Sequence, residues 1–341
     1  MLAVMRTIDS PLRDSTRIDR SLPANLTADD AVLFEDQFTY STYDSYLRCI
    51  GKAKVSADSV VYKNYAPVVE SLYRAESVAY YRFRYLAKKV LTARKIQLEA
   101  SKAFLLATDQ DSSGHFHWFT EVLPRLWLVK GRTSEFDLML PDTPYMRAVG
   151  VASLDHVDLR FAGIYWMKPD EFYSVPNLYH LSKVSRTGQM QDGIMKELNQ
   201  ALIGKRPTGN RKFYISRKRA DFRKVLNEPE LTERLASYDF EVLYPEDLSL
   251  ADQIEAFSQC GTLIGIHGAG LTNSLFMPPG GKVVELRKRE PNFGYWHLAG
   301  SVGHKYYYYH GVPDSDLSLI GRGCNLTIPI DDFEEEILKV I

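Results

Sequence analysis

A histidine and two glycines stand where an apolar run gives way to a helix-compatible segment, in "HGAGLTN" (267–273). Glycines at a strand-to-helix turn permit positive φ and let a ligand approach the backbone closely. A helix that begins there presents unpaired N–H groups and the positive end of its dipole, which together favour an anion. The segment is therefore a candidate anion site. Tight packing between strand and helix is the alternative explanation of its glycines.

The spacing of these glycines excludes two common nucleotide sites. The third glycine of the Gly-x-Gly-x-x-Gly fingerprint is absent, because Asn273 stands in its place. No Gly-Lys-Ser/Thr follows, so the segment is not a P-loop. Neither a dinucleotide-binding fold nor an ATP-binding fold is indicated.

A second chemical feature is the basic segment "RKFYISRKRADFRK" (211–224), which holds seven Lys and Arg residues against one Asp in a chain of net charge -1. The cluster straddles the end of a predicted strand, where open α/β sheets place their ligand crevice. The planar fork of arginine suits phosphate oxygens, so Arg217, Lys218, Arg219 and Arg223 are candidates to face a diphosphate. A solvated basic face and a nucleic-acid patch remain open as alternatives.

A candidate general base lies earlier in the chain. His117 and Glu121 are four residues apart on a predicted helix and therefore share a face. A histidine with an unperturbed pKa near 6.5 suits proton transfer at neutral pH. His117 is accordingly the first candidate for the base, and His115, two residues away, is expected to point elsewhere.

A metal site is not favoured. The segment "DQD" (109–111) follows a predicted strand, as a metal-binding Asp-x-Asp does, but "DSD" (314–316) repeats the pattern in an ordinary loop. The cysteines, Cys49, Cys260 and Cys324, are too few and too widely spaced for a disulfide framework or a zinc site. We therefore expect no metal and a reducing compartment.

Composition bounds the class of protein. The chain has 341 residues, of which 45% are hydrophobic and 25% charged, and this is typical of a globular protein with room for two domains. A net charge of -1 offers no global attraction to nucleic acid or an anionic membrane. The first twenty residues lack the pattern of a signal peptide, and no apolar run is long enough to span a membrane. These features predict a cytoplasmic protein.

The chain alternates strand and helix in two stretches, 103–154 and 211–286. Such alternation with short connections predicts parallel sheets covered by helices, hence an α/β fold. The Gly/Pro/Asn cluster at 204–210 marks the boundary between a first domain, 1–204, and a second, 205–341. The first hundred residues are β-rich where they can be interpreted, and 80–98 predicts either a basic amphipathic helix or two strands.

Two segments near the C-terminus have simple interpretations. The run "HKYYYYH" (304–310) predicts a buried strand, with stacking on a sugar or nucleobase as the alternative. The segment 331–341 predicts a terminal amphipathic helix.

Three blocks of the sequence resemble glycosyltransferase family 61. They are "GHFHWFTEVLPRLWLV" (114–129), "YISRKRADFRKVLNEPEL" (214–231) and the long run at 240–286 that contains "GIHGAGLTNSLFMPPGGKVVEL". The blocks stand in the family's order within 114–300, whereas the first hundred residues show little likeness. The resemblance implies an inverting transferase of GT-B architecture. In that architecture two Rossmann-like domains face each other across a cleft, the donor lies mostly on the second, and the C-terminal helix crosses back to the first.

The resemblance also implies the partners. The donor would be a nucleotide-sugar, a UDP-sugar by prevalence among family members, and the acceptor a hydroxyl of a glycan or lipid-linked glycan. We expect no cofactor, no metal requirement and no nucleic acid. The missing signal and anchor favour a bacterial enzyme of capsule or lipopolysaccharide synthesis, cytoplasmic or peripheral at the inner face of the membrane. A catalytically silent protein that binds a sugar nucleotide and organises an assembly complex is the alternative.

The expected site has a catalytic part, His117 with Glu121, and a donor-binding part. His267 is expected to contact the donor's phosphate or sugar, and Glu285 its ribose hydroxyls, with an ion pair to Arg287 or Lys282 as the alternative for Glu285. Asn273 is either a donor ligand or a filler of the first helical turn. The full donor-binding set is Ser216, Arg217, Arg219, Arg223, His267, Gly268, Ala269, Gly270, Leu271, Thr272, Asn273 and Glu285.

Overall fold

The computed structural model describes residues 9–204, 209–320 and 323–341. Its internal contacts divide the chain into a first unit, made of the residues up to Thr16 and Thr42–Arg186, and a second unit, made of Arg17–Ser41 and Thr187–Ile341. This division differs from the sequence-based one at 204/205. The linker expected at 204–210 also lies partly outside the described residues, which omit 205–208.

Two segments account for the difference in the boundary. The helix Asp192–Ile203 packs in the second unit, where Asn199 Nδ2 donates to the carbonyls of Leu275 and Met277 at 2.7 and 2.9 Å. Arg20, from the early segment Arg17–Ser41, donates to Asp192 at 2.7 Å within the same unit. Because buried contacts define a unit more strongly than chain order does, the Gly/Pro cluster after the helix was a misleading signal.

The first unit is built on a nine-stranded sheet that is mixed. Phe104–Leu106 runs parallel to Asp137–Pro141 and to Glu171–Leu181. Ser45–Ser56 runs antiparallel to Glu171–Leu181, which corrects the expectation of a wholly parallel sheet. In order across the sheet the strands are Gly163–Met167, Asp137–Pro141, Phe104–Leu106, Glu171–Leu181, Ser45–Ser56, Val61–Lys63 and Ala66–Pro67, with Asp9–Arg13 beside Ser45–Ser56 and Arg94–Gln97 beside Glu171–Leu181.

Three helical segments accompany this sheet, at 78–92, 115–127 and 146–156, and each contains a π-helical turn. The sequence predicted either a helix or two strands for the segment 80–98. The structure has a helix that ends at Thr92 and then one strand, Arg94–Gln97, so neither prediction describes the whole segment. The helix at 115–127 lies where the apolar periodicity predicts it. The helical pieces are Val78–Tyr80, Tyr81–Tyr85, Leu86–Thr92, His115–His117, Trp118–Val122, Leu123–Trp127, Met146–Gly150 and Val151–His156, with 3-10 turns at Val69–Ser71, Ala75–Ser77 and Thr133–Glu135.

The second unit contains a five-stranded parallel sheet whose strands, counted in chain order, lie in the order 2-1-3-4-5. This is the order of a doubly wound α/β sheet, and its topological switch point falls between strands 1 and 3. Strands 3 and 4 are buried along almost their whole length, as expected for strands covered on both faces. In chain order the strands are Arg211–Ile215, Phe240–Leu243, Cys260–Ile266, Lys282–Arg287 and Lys305–His310.

The tyrosine run is confirmed as a buried strand, since Tyr306 to Tyr309 are all less than a tenth exposed. The helices of this unit are Asp192–Ile203, Glu228–Ala236, Leu250–Phe257, Gly294–Ser301 and the pair Ile330–Phe333 and Glu334–Leu338, with 3-10 segments at Ala31–Leu33, Glu35–Gln37, Pro245–Asp247 and Ala269–Phe276. Two short ribbons, Arg17–Asp19 with Thr39–Ser41 and Val312–Pro313 with Leu326–Thr327, complete it.

The C-terminal helix packs within the second unit, which corrects the expectation that it crosses back to the first. Phe333, Ile337 and Leu338 are buried in one apolar cluster with Leu231 and Leu235. These three side chains therefore pack in the core of their own unit.

Within the described residues, none of the helices has the combination of length and apolarity required to cross a bilayer. The three cysteines are free thiols.

Candidate active site

The basic segment and the histidine–glycine turn converge at the switch point of the second sheet. Arg217 follows strand Arg211–Ile215 and Gly268 follows strand Cys260–Ile266, and these two strands are parallel neighbours. A Cβ placed on Gly268 would lie 2.8 Å from Arg217 Nη1. The two segments therefore meet at the carboxyl edge of the sheet, where doubly wound folds bind their ligands.

The glycines of this turn are needed for close approach and not for positive φ. Gly268 has φ 164, an extended conformation that any residue adopts. A Cβ on Gly270 would lie 3.0 Å from Ile215 Cγ2, so a larger residue there presses on the strand. The expectation of left-handed glycines is thus corrected: the space they leave is occupied by Arg217 and Ile215.

Arg217 and Arg223 form a pair of cations without a matching anion. The Nε atoms of both are buried without a hydrogen-bond partner, and neither side chain pairs with a carboxylate of the described residues. Burial lowers the pKa of both guanidinium groups, and for Arg217 the charge of Arg223 adds to the effect. Two half-buried cations that repel each other are stabilised by a bound anion, and guanidinium groups suit phosphate oxygens.

Arg223 also has an unusual backbone conformation. Its φ of 58 lies in the left-handed region, which is unfavourable for a residue with a side chain. The next residues fix it, because Lys224 N donates to Asn325 Oδ1 at 2.9 Å and Val225 bridges to Leu326. Backbone strain of this kind persists only where the surroundings impose it, and it is common at ligand sites.

The other residues of the basic segment have different surroundings. Arg219 pairs with Asp247 and lies over the Tyr244 ring, 4.4 Å from its centroid. Its charge is therefore already compensated, unlike that of Arg217. Ser216 is buried, and its Oγ accepts a hydrogen bond from Lys218 N at 3.1 Å, which leaves the hydroxyl hydrogen available to a ligand.

His267 lies in a chain of buried hydrogen bonds. Its Nδ1 is 2.5 Å from Glu285 Oε1, and its Nε2 is 3.2 Å from Asn292 Nδ2. Because the amide donates and the carboxylate accepts, His267 carries its proton on Nδ1. Tyr306 donates to the second oxygen of Glu285 at 2.5 Å, and Arg287 Nη1 donates to the Tyr306 hydroxyl at 3.4 Å.

This arrangement corrects the expected role of Glu285. The carboxylate is 1% exposed and both its oxygens are occupied, so it has no open oxygen for ribose hydroxyls. Burial works to raise the pKa of Glu285, but hydrogen bonds from His267 and Tyr306 and the charge of Arg287 hold it below its usual value. Its direct partner is His267 and not Arg287 or Lys282. Glu285 therefore positions the histidine.

The segment after the turn forms a 3-10 helix, Ala269–Phe276. Leu271 N already donates to the carbonyl of Gly268 at 2.9 Å, so this N–H group is not free to bind an anion as the sequence predicted. Thr272 and Asn273 are buried, and Asn273 Nδ2 donates to Gln253 at 3.1 Å, so Asn273 is a packing residue. Ala269 and Gly270, which open the helix, remain partly exposed.

In the first unit, His117 and Glu121 form the expected pair. Nδ1 of His117 lies 3.0 Å from Glu121 Oε1, and the side chains are 24% and 10% exposed. Among the described residues Nε2 of His117 has no hydrogen-bond partner. Burial works to lower the pKa of His117, but Glu121, with help from Asp111 and Asp109, raises it above its usual value. The pair has the arrangement of a general base held by a carboxylate.

Two buried charged residues, Arg125 and Asp109, lie next to this pair. Arg125 lies 4.0 Å from Glu121 Oε2, donates to the carbonyl of Ala107 at 2.7 Å and to Asp109 at 3.1 Å. Asp109, the first residue of the Asp-x-Asp segment, is thus the partner of an arginine. His115 turns to Tyr145, with Nδ1 3.1 Å from the hydroxyl. Within the described residues no group of three or more His, Cys, Asp or Glu side chains is arranged to hold a metal ion.

A cavity of about 290 Å³ opens at the carboxyl edge of the parallel strands in the first unit. One residue of its wall, Ser113, stands shortly before His117 in the chain. Its surface is mostly apolar, with carboxylate, amide and hydroxyl groups set into it, which is usual for a ligand pocket. The lining residues are Ala57, Asp58, Tyr85, Lys89, Asp109, Gln110, Ser113, Pro141, Asp142, Thr143, Met167 and Pro169.

Comparison with known proteins places this geometry in a family. The model of the family described as Glycosyltransferase 61 matches residues 115–284, about half of the chain, and the match includes both the His117 helix and the histidine–glycine turn. The chain belongs to glycosyltransferase family 61. The relatives below are glycosyltransferases, and the resemblance of the three sequence blocks is confirmed.

Curated relatives match shorter stretches. The EGF domain-specific O-linked N-acetylglucosamine transferase of Drosophila melanogaster is 38% identical over 96 residues, which are 27% of this chain and 18% of that protein. Its counterpart in Rattus norvegicus is 29% identical over 133 residues, 38% of this chain and 25% of that protein. The protein O-linked-mannose beta-1,4-N-acetylglucosaminyltransferase 2 of Canis lupus familiaris is 35% identical over 97 residues, 27% and 16%. The matches thus span a quarter or less of each of these three relatives.

Sequence reasoning missed three side chains of the second-unit site, Asn292, Tyr295 and Tyr306, and considered Arg287 only as an ion-pair partner of Glu285. Tyr295 lies against His267 with ring centroids 5.2 Å apart, and its interactions with Arg217 and Arg223 place it beside both cations. Tyr306 belongs to the tyrosine run, and the alternation of a buried strand would have separated its face from that of Tyr307. Asn292 lies in a loop, and nothing in its local sequence indicated its contact with His267.

Proposed function

We propose that this chain is an inverting glycosyltransferase that moves a sugar from a nucleotide-sugar donor to a hydroxyl of a glycan or glycolipid acceptor. The carrying observation is the pair of half-buried, uncompensated arginines, Arg217 and Arg223, at the switch point of the second sheet. A departing nucleoside diphosphate develops negative charge, and fixed cations stabilise it. Family membership supports the same chemistry.

The finer assignments belong to the same proposal. UDP is the first nucleotide to test, and N-acetylglucosamine the first sugar, because the animal relatives are named for that sugar. The GT-B arrangement rests on the resemblance. A cytoplasmic setting and a role in bacterial capsule or lipopolysaccharide synthesis rest on the sequence and the resemblance alone. The relatives named above are animal proteins and do not support a bacterial role. No metal is required in this scheme, because the arginines supply the positive charge.

The proposed reaction balances as a single displacement. In the GT-B arrangement that the resemblance implies, the acceptor hydroxyl gives its proton to Nε2 of His117 while its oxygen bonds to the anomeric carbon of the sugar. The bond from that carbon to the diphosphate oxygen breaks, and the diphosphate keeps the electron pair. Arg217, Arg223, Ser216 and the start of the helix at Ala269 hold the leaving group. Attack from the face opposite the leaving group inverts the anomeric carbon.

The test is nucleotide binding by arginine variants. We expect one of UDP, GDP, CDP and dTDP to raise the melting temperature, because a ligand at 100-fold its Kd stabilises a protein by about 2.7 kcal/mol. Arg217→Met and Arg223→Met should weaken that nucleotide roughly 10- to 100-fold, since a hydrogen bond to a charged group contributes about 1.5–3 kcal/mol. Arg219→Met is the matched control, because Asp247 already compensates Arg219.

Two results contradict the proposal. One is the absence of any nucleotide-dependent shift in the wild-type chain. The other is an equal loss of affinity in the Arg219 control, which would indicate a diffuse basic surface. Release of nucleoside diphosphate from UDP-N-acetylglucosamine then separates a transferase from a silent binding protein: turnover needs His117, whereas binding does not.

A further inference from the structure

We propose that the outer face of the helix at 78–92 is a docking surface for an anionic phospholipid bilayer. The helix lies in the first unit and contributes none of the residues that the proposed chemistry uses. Its sequence, "VAYYRFRYLAKKVLT", and the strand after it contain no acidic residue from Ser77 to Leu98, whereas Arg82, Arg84, Lys88, Lys89, Arg94 and Lys95 lie in that stretch. This concentration of positive charge stands out in a chain of net charge -1.

The inner face of the helix is fully used by the fold. Leu86 is buried in an apolar cluster with Val60, Tyr62, Leu72 and Phe172, and Tyr81 and Tyr85 pack against the same cluster. Tyr85 also donates to Asp58. The core contacts therefore involve one face of the helix, and the opposite face is exposed to solvent.

The outer face exposes apolar side chains in a helical stripe. Phe83 is 66% exposed and Leu91 84%, with Tyr80 at 51% and Val90 at 40%. Together with exposed Ala87, these residues follow the three- and four-residue spacing of one helix face. Exposed large apolar residues that cluster in this way usually mark a binding surface.

Exposed cations accompany the stripe. Arg82, Arg84 and Lys88 are exposed, and none of them pairs with a carboxylate among residues 9–204, 209–320 and 323–341. Arg94, farther along, is already paired with Glu171. Three uncompensated cations beside aromatic and aliphatic side chains are the composition of a helix that lies in the interface of an anionic membrane.

Other occupants fit this face less well. A second copy of the chain, paired face to face, would bring the three cations against themselves. A nucleic acid would engage the cations, but Val90 and Leu91 gain nothing from a phosphate backbone. A bilayer uses both features, since the headgroups meet the cations and the acyl boundary takes Phe83 and Leu91.

The surface lies next to the cavity of the first unit. Tyr85 and Lys89, from the same helix, line that cavity. Because a helix with its side chains is about 10–12 Å wide, a ligand in the cavity would lie within roughly that distance of the headgroups. This consequence rests on the helix alone and does not depend on the proposed transfer reaction.

The test is sedimentation of the full chain with vesicles, without nucleotide or acceptor. We expect binding to vesicles of phosphatidylcholine mixed with phosphatidylglycerol, whose negative surface attracts Lys and Arg, and little binding to phosphatidylcholine alone. The triple variant R82E/R84E/K88E should lose on the order of 100-fold in partition coefficient, roughly fivefold for each cation. F83S/L91S should lose about tenfold or more.

The matched control is K52E/K196E/K305E, which changes the net charge equally at exposed positions outside the helix. It should keep binding within about twofold of the wild type, which corresponds to about 0.4 kcal/mol. No binding of the wild type to the anionic vesicles overturns the proposal, and so does an equal loss in the control. Binding of an oligonucleotide that R82E/R84E/K88E abolishes and F83S/L91S leaves intact, in the absence of vesicle binding, assigns the patch to nucleic acid and also overturns it.

Discussion

Two histidine–glutamate pairs in the described part of the chain have opposite surroundings. His117 and Glu121 in the first unit are 24% and 10% exposed, and Nε2 of His117 has no partner among the described residues. His267 and Glu285 in the second unit are 10% and 2% exposed, and both ring nitrogens of His267 are occupied. The same two residue types therefore serve two purposes. A histidine with a free nitrogen can accept a proton, whereas one with two fixed bonds shapes its surroundings.

The largest effect that separates the pairs is expected in turnover. His117→Gln should lower kcat by about 10²–10⁴, because a well-placed general base contributes that much. The measurement is the rate of nucleoside diphosphate release at saturating donor. A His117→Gln variant with wild-type kcat would remove the first pair from the chemistry.

The second expected difference is in folding stability. His267→Ala leaves the buried Glu285 carboxylate without its hydrogen bond from Nδ1, which should cost about 3 kcal/mol in free energy of unfolding. His117→Ala, at a more exposed position, should cost less than about 1 kcal/mol. Urea denaturation of both variants measures the contrast. Equal losses would mean that the two pairs do not differ as their burial indicates.

A third expectation concerns pH. Glu121 raises the pKa of His117, and a base acts only when it is unprotonated, so activity should rise with pH through that elevated pKa. Glu121→Gln removes the carboxylate charge and lowers the pKa of His117, which moves the acid limb of the kcat profile to lower pH. An unshifted limb in the Glu121→Gln enzyme would assign the limb to another group.

The smallest effect is expected at the loop residue that caps His267. Asn292→Ala removes the amide hydrogen bond to Nε2 and should cost about 1 kcal/mol of stability. Its effect on kcat should be small beside that of His117→Gln. Thermal denaturation and turnover of the same preparation check both parts, and a loss of kcat as large as that of His117→Gln would show that His267 acts in the chemistry.

The fold of the second unit could be predicted further than that of the first. Its strands are continuous apolar runs separated by capped helices, and Ser249 caps the helix Leu250–Phe257 as its sequence indicates. In the first unit, the long strands Ser45–Ser56 and Glu171–Leu181 pair antiparallel across more than a hundred residues of chain. Local periodicity carries no information on such distant pairing, and for the same reason the sequence did not place Arg17–Ser41 in the second unit.

The candidate site shows the same limit. The spacing of His117 and Glu121 fixed their contact, because four residues on a helix determine a shared face. The meeting of Arg217 with Gly268 followed from strand order at the switch point. The burial of Glu285 did not follow, because its partners come from a separate strand and a loop. Only the assembled structure shows that its oxygens are already bonded to His267 and Tyr306.

The most direct test titrates the nucleotide that stabilises the wild-type chain into two variants, His117→Gln and Arg217→Met, by calorimetry. If the first unit holds the proton acceptor and the second unit holds the diphosphate site, His117→Gln should bind the nucleotide with the Kd of the wild type. For Arg217→Met it predicts a Kd at least about tenfold weaker. The opposite pattern, with nucleotide binding lost at His117 and kept at Arg217, would contradict the account.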